Sequence, residues 1–187
     1  MTVPAESNTR SRTRRAILDA AVAVLARDST ASVGDIAVAA GVGRTTVHRY
    51  FAERSDLINA IAADLLEKVH NAVDRARIDE GSAVEALGRV CQEWFALSDG
   101  FMLLFNNPEL INDPAWSEDT ESDLKILELI RRGIRDGEID GSMTAEWVSN
   151  LLWSMLYAGW EYRRSHGASS HEALTQCLAS LRKAISP

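Results

Sequence analysis

Cysteine is scarce in this 187-residue chain. Cys91 and Cys177 stand far apart and match no CxxC spacing, so they read as two buried free thiols in a reducing cytoplasm. Long apolar runs are also missing. No stretch of about 18 apolar residues exists to span a membrane, which argues against a membrane partner. The polar, arginine-containing N-terminus lacks the apolar segment and small-residue cleavage site of a secretory signal. β-Branched alternation is rare, and neither an internal repeat nor a low-complexity segment stands out. The hydrophobic content of 46% is that of a chain with a complete core, in one domain or two small ones.

Charge is unevenly placed. Up to residue 54 there are eight arginines (10, 12, 14, 15, 27, 44, 49 and 54) against five acids, a balance of +3. The whole chain is at −7, so the rest carries −10. A basic end joined to an acidic body implies two tasks, and a phosphate polymer suits the basic end.

Apolar residues fall mostly three and four apart, which predicts an all-α chain of about nine helices. The first spans about Arg10–Arg27, with Ile17, Ala20, Ala21, Val24 and Leu25 on its core face. Ser32 with Asp35 three residues on resembles a capping box and starts a short helix over 33–40. Gly41 interrupts it, and a second short helix covers Arg44–Tyr50. A long helix follows over 54–77, with Leu57, Ile61, Leu65 and Val69 in a row. Ser82 and Glu85 open a helix to about Leu97, and a short one is expected near Phe101–Phe105. Residues 98–116, punctuated by Gly100, Pro108 and Pro114, are expected to hold that short helix and an irregular connection. Later helices are expected over 118–136 (Leu124, Leu127, Ile130 and Ile134 inward), 144–165 and from Ser169 to about Ile185.

Residues 33–52 have the pattern of a helix-turn-helix. Ala37 is small where two helices cross, Gly41 permits a positive φ in the turn, and Ile36, Val42 and Val47 supply the apolar seam. Phe51 closes the unit against the first helix. The outward face is then Arg44, Thr45, Thr46, His48, Arg49 and Tyr50. Donors, acceptors and a methyl group in that row suit the edges of base pairs in a major groove.

The run from Ile36 to Phe51, followed by Arg54-Ser55-Asp56-Leu57, resembles the TetR (tetracycline-repressor-like) family. Arg15-Ala16-Ile17-Leu18-Asp19-Ala20-Ala21 is similar to that family's first helix. The likeness implies a DNA-binding domain at 9–68 and a C-terminal effector-binding and dimerisation domain at 69–187. By position in the family pattern, Arg44 and Thr46 make base-edge or phosphate contacts. His48 stands where the family usually has a phosphate-binding tyrosine, and Tyr50 where it often has histidine. Arg54 replaces a lysine at the start of the fourth helix, where cation and helix N-terminus hold a phosphate. Gly34 occupies a position that often carries a polar side chain.

The resemblance also implies a homodimer on a palindromic operator, built from the last two helices. Leu152, Met155, Gly159, Leu174, Leu178 and Leu181 are the candidate interface. It implies a small-molecule effector too. All five tryptophans lie beyond residue 90, and Trp94, Phe101, Phe105, Trp116, Trp153 and Tyr157 are the candidate pocket. A cationic group on an apolar, aromatic effector would face Glu93 or Asp99. Transcriptional repression is the family's usual output.

Catalysis is not expected. No nucleophile elbow appears, and Gly41-Val42-Gly43 has Thr46 in place of a third glycine with no strand before it. His48, His70, His166 and His171 are scattered, so neither a metal nor a cofactor is implied. A helical protein-interaction module without DNA binding is the alternative, but it leaves the Arg44–Arg49 face and the charge split without a purpose.

Overall fold

Hydroxyl side chains with a carboxylate three residues on decide where several helices begin. In the computed structural model, which describes residues 5–107, 116 and 120–187, Ser32 Oγ accepts from the Asp35 amide at 3.2 Å. The Asp35 carboxylate in return accepts from the Ser32 amide at 2.8 Å. Ser82 with Glu85 and Thr120 with Asp123 repeat this reciprocal box. Thr144 and Ser169 cap the last two helices by accepting from the Trp147 and Glu172 amides.

Among the described residues there are nine helices and no strand, as the spacing predicts. They are α1 (Ala5–Leu25), α2 (Val33–Ala39), α3 (Arg44–Tyr50), α4 (Arg54–Arg75), α5 (Ala83–Phe95), α6 (Ser98–Phe105), α7 (Glu121–Arg135), α8 (Ala145–His166) and α9 (Ser170–Ile185). The expected irregular stretch through Pro108 and Pro114, and a start at Glu118, fall outside the described residues. No described helix is long and apolar enough to cross a membrane.

The chain divides into two compact units. The first is Met1–Glu67 with Asp99–Trp116, and the second is Lys68–Ser98 with Ser117–Pro187. The first unit thus takes in a segment that the sequence places with the body. Its core joins Ile17, Leu18 and Ala21 of α1 to Ile36, Ala37, Val47, Phe51, Leu57, Ile61 and, from α6, Leu103. Beside it the carboxylate of Asp64, only 8% exposed, meets the Arg15 guanidinium at 2.5 Å. Breaking such a pair would strand a charge away from water.

In the second unit α5 lies at the centre, with Leu87, Val90, Cys91, Trp94 and Phe95 all buried. The turn after α4 comes two residues earlier than expected. Arg77 there adopts φ +47°, and Arg89 donates to the carbonyls of Ala76, Arg77 and Glu80. Both cysteines are buried and free; burial pushes the Cys177 thiol up to about 11 and the Cys91 thiol higher still.

The inward face of α7 differs from the expected row. Leu124 is 54% exposed, and the buried residues are Ser122, Ile126, Leu129, Ile130 and Gly133. Gly133 turns the helix, because Ala83 and Ile139 pack where its side chain would be. Gly159 acts alike between α8 and its neighbours. A Cβ there would lie 2.8 Å from the Phe95 ring and 3.4 Å from Cys177. Gly159→Ala is expected to destabilise the fold by about 1–3 kcal/mol through overpacking, read as a lower urea midpoint with the slope unchanged.

Candidate nucleic-acid interface

The turn between α2 and α3 is closed by backbone bonds around one left-handed residue. Gly41 has φ +66°. Its amide donates to Val38 O at 3.1 Å, and the Val42 amide donates to Ala37 O at 3.0 Å. That is a Schellman arrangement, which satisfies the last carbonyls of α2 and starts α3 at a fixed angle. Val47, at 1% exposure, is the side of α3 turned to the core.

The other side of α3 faces water. Arg44, Thr45, His48 and Arg49 are exposed, while Thr46 and Tyr50 are half-buried. Neither Arg44 nor Arg49 has a carboxylate partner among the described residues. The His48 ring places Nδ1 3.4 Å from Ala52 O. Arg49 sits 5.7 Å from the Tyr50 ring centroid. Gly34 and Val38 share one side of α2, and Val38 is 82% exposed. Of the row predicted from sequence, α3 of the first unit thus exposes Arg44, Thr45, His48 and Arg49 and partly covers Thr46 and Tyr50.

Arg54 has a structural role that the family pattern does not show. Its guanidinium donates to Ala31 O and Ser29 O, both at 2.7 Å, and so clamps the loop between α1 and α2. Two of the five guanidinium donors are thus spent on the carbonyls of this loop. Acids also stand at the start of α4, where Asp56 accepts from the Glu53 amide at 3.0 Å. Sequence reasoning missed another feature, the reach of α1 to the end of α3. Arg10 lies 6.0 Å from the Tyr50 ring centroid, and Arg14 lies 5.5 Å from that of Phe51. The clustering of basic residues early in α1 pointed to phosphate or to a solvated tail, but not to these rings.

The six candidate pocket residues divide between the units. In the first, Phe101 faces Phe105 at 6.3 Å and meets Trp116 edge-on at 6.4 Å. In the second, Trp94 stacks on Trp153 with centroids 4.6 Å apart, and its indole N–H donates to Val69 O at 3.3 Å. Tyr157 is 45% exposed. Glu93 accepts from Arg75 at 2.7 Å, so this carboxylate is already engaged. Of the candidate interface, Leu152, Gly159 and Leu181 are turned into the chain's own core, where they pack. Met155, Leu174 and Leu178 are half-buried. Apolar surface on α8 instead comes from Trp147, Tyr157 and Tyr162.

Two outcomes follow from the loop and cap. Arg54→Ala is expected to lower stability by about 1–2 kcal/mol, through two charge-assisted hydrogen bonds in a partly wet site. Arg54→Lys recovers less than half, since an ammonium cannot span both carbonyls as a fork. Chemical denaturation measures both. Hydrogen bonds from Ser32 hold the Asp35 carboxyl below its usual value, and those from Thr30 do so for Asp28. Their contribution is full at neutral pH, where both states are ionised. It is lost as pH falls below the ordinary aspartate value of 3.8 through the lowered folded values. Loss of protection of the α2 amides, relative to their intrinsic exchange rates, over that acid range and not near neutrality is the expected sign.

Comparison with known proteins agrees with this geometry. Residues 17–61 match the family described as bacterial regulatory proteins, tetR family. Over 187 residues the chain is 36% identical to the HTH-type transcriptional repressor LfrR of Mycolicibacterium smegmatis, covering 99% of this chain and 97% of that one. The crystal structure of LfrR from Mycobacterium smegmatis in complex with proflavine aligns with a TM-score of 0.76 at 35% identity, over 94% of this chain and 98% of that one. The ketosteroid transcriptional regulator KstR2 of Mycobacterium tuberculosis shares the fold at 16% identity, with a TM-score of 0.74 over 93% and 95% of the two chains. With the exposed face of α3, its glycine turn and a relative matched from end to end, this chain belongs to the TetR family of bacterial regulatory proteins.

Proposed function

We propose that this regulator is a cytoplasmic homodimeric repressor that reads a palindromic operator with α3 and leaves it when a planar, apolar, cationic effector binds. The observation that carries the DNA reading is the exposed row from Arg44 to Arg49, with two guanidiniums that have no acid to neutralise them among the described residues. Arg44, Thr45 and Thr46, at the N-terminal end of α3, are the groups for base edges, as recognition helices present their first turns to the groove. His48, Arg49 and Tyr50 are the groups for the adjoining backbone.

A homodimer is supported by economy of recognition. One helix of seven residues reaches few base pairs, and two copies spaced by one DNA turn multiply the selectivity. The exposed Trp147, Tyr157 and Tyr162 of α8, with Met155, Leu174 and Leu178, offer the apolar surface for it. The effector class rests on two features. The body is acidic, which favours a cation, and its aromatic residues offer flat apolar faces. Proflavine, the molecule in the LfrR complex, is of this kind. Such a molecule acts on DNA binding only through unequal affinity for the bound and released arrangements.

Duplexes recovered from a random library with the purified chain give the operator. On such a duplex Arg44→Ala and Thr46→Ala are expected to cost about 1–3 kcal/mol each, with a smaller loss on a scrambled duplex. A binding constant that stays flat as salt rises would sink the DNA reading. Proflavine is expected to quench tryptophan emission and lower occupancy of the selected duplex. Emission and occupancy that both ignore it count against this effector class.

A further inference from the structure

Resting on the DNA reading above, we infer that α1 carries a second operator contact. Arg10 and Arg14, seated on the Tyr50 and Phe51 rings, grip the sugar–phosphate backbone beside the groove that α3 enters. Neither lies within residues 17–61, the stretch matching the family.

Helix geometry separates the four arginines of α1. Residues four apart share a side, so Arg10 and Arg14 stand one above the other. Arg12, two positions from each, points away from that side. Arg15 is engaged by Asp64 and Asp19. Arg10 and Arg14 are exposed, and neither has a carboxylate partner among the described residues. What each does have is a ring, at 6.0 Å and 5.5 Å. A cation–π contact lowers the freedom of a long side chain and leaves most of the guanidinium's five donors unused. Two preordered cations with unused donors are the chemistry of a phosphate clamp.

Their place relative to α3 decides what they touch. Tyr50 is the last residue of α3 and Phe51 the next, so both rings mark the end of the helix away from Arg44. When the first turn faces base edges, that far end lies against the groove wall. The major groove is about 12 Å across, and its walls are phosphate strands. A guanidinium one side chain beyond Tyr50 meets phosphate there and no base edge, so the contact positions the protein without reading sequence.

The test measures log K against log salt for wild-type chain, R10A/R14A, R12A and R10K/R14K, on a selected duplex and a scrambled one of equal length. Removing two phosphate contacts is expected to flatten the slope by about 1.8, at about 0.9 per phosphate. The affinity of R10A/R14A falls by a similar factor on both duplexes. R12A keeps the wild-type slope, and R10K/R14K keeps most of it because charge is retained. Far-ultraviolet circular dichroism and Tm of R10A/R14A accompany the binding data. An unchanged slope in R10A/R14A overturns the inference while the DNA reading stands. Equal loss in R12A overturns it too, since a diffuse charge would then explain the effect. If R10A/R14A loses helix or Tm, the lysine pair decides: a retained slope supports the clamp, and a lost one overturns it. A wild-type chain without salt-dependent binding to either duplex overturns both readings together.

Discussion

A single left-handed residue, Gly41, sets the direction in which α3 leaves α2. A side chain there would disfavour that backbone conformation, although its Cβ would meet no other atom. The angle matters because Val42 and Val47 must land on Ile36 and Ala37 for the seam to close. Once it closes, Val47 points inward and the spacing of a helix sends Arg44, Thr45, His48 and Arg49 outward. Phe51 then serves two neighbours, the core on one side and Arg14 on the other. The reading face is thus a consequence of packing, not of any attraction among its own polar groups.

Arginine works in two directions in this chain. Arg15, Arg54, Arg89 and Arg132 point to carboxylates or carbonyls and fix loops and helix ends. Arg10, Arg14, Arg44 and Arg49 point to water or to rings. A count of charges along the sequence cannot separate the two sets, and the family pattern that places Arg54 at a phosphate does not show its loop partners. Its carbonyl partners lie more than twenty residues upstream, in a loop without any charge pattern. By contrast, the outward row on α3 was legible, since both its period and its neighbours are local.

Helix starts were legible for a similar reason. A hydroxyl and a carboxylate three residues apart form their bonds within one turn, as at Ser32 and Ser82; the same box at Thr120 and Asp123 was not read, the helix being expected from about Glu118. Faces buried around small residues were not legible. Hydropathy points α7 towards Leu124 and Leu127, yet the helix turns Gly133 inward to admit Ala83 and Ile139. Gly159 was read as a place for a second copy to approach, and it admits Phe95 of the same chain. A small residue marks a close approach without saying which partner makes it. The aromatic residues beyond residue 90 were equally open, and the six candidate pocket residues do not form one group: Phe101, Phe105 and Trp116 meet in the first unit, and Trp94 and Trp153 in the second.

The two thiols give the second unit a built-in chronometer. Cys91 on α5 and Cys177 on α9 are buried, and their raised values leave almost no thiolate at neutral pH. Alkylation needs the thiolate and a path to it, so a reagent can act only during openings that expose α5 or α9. Under conditions where closing outruns the reagent, the labelling rate reports the free energy of those openings in the native protein. Two positions on different helices then distinguish fraying of the C-terminal helix from opening of the central one, without a single engineered residue.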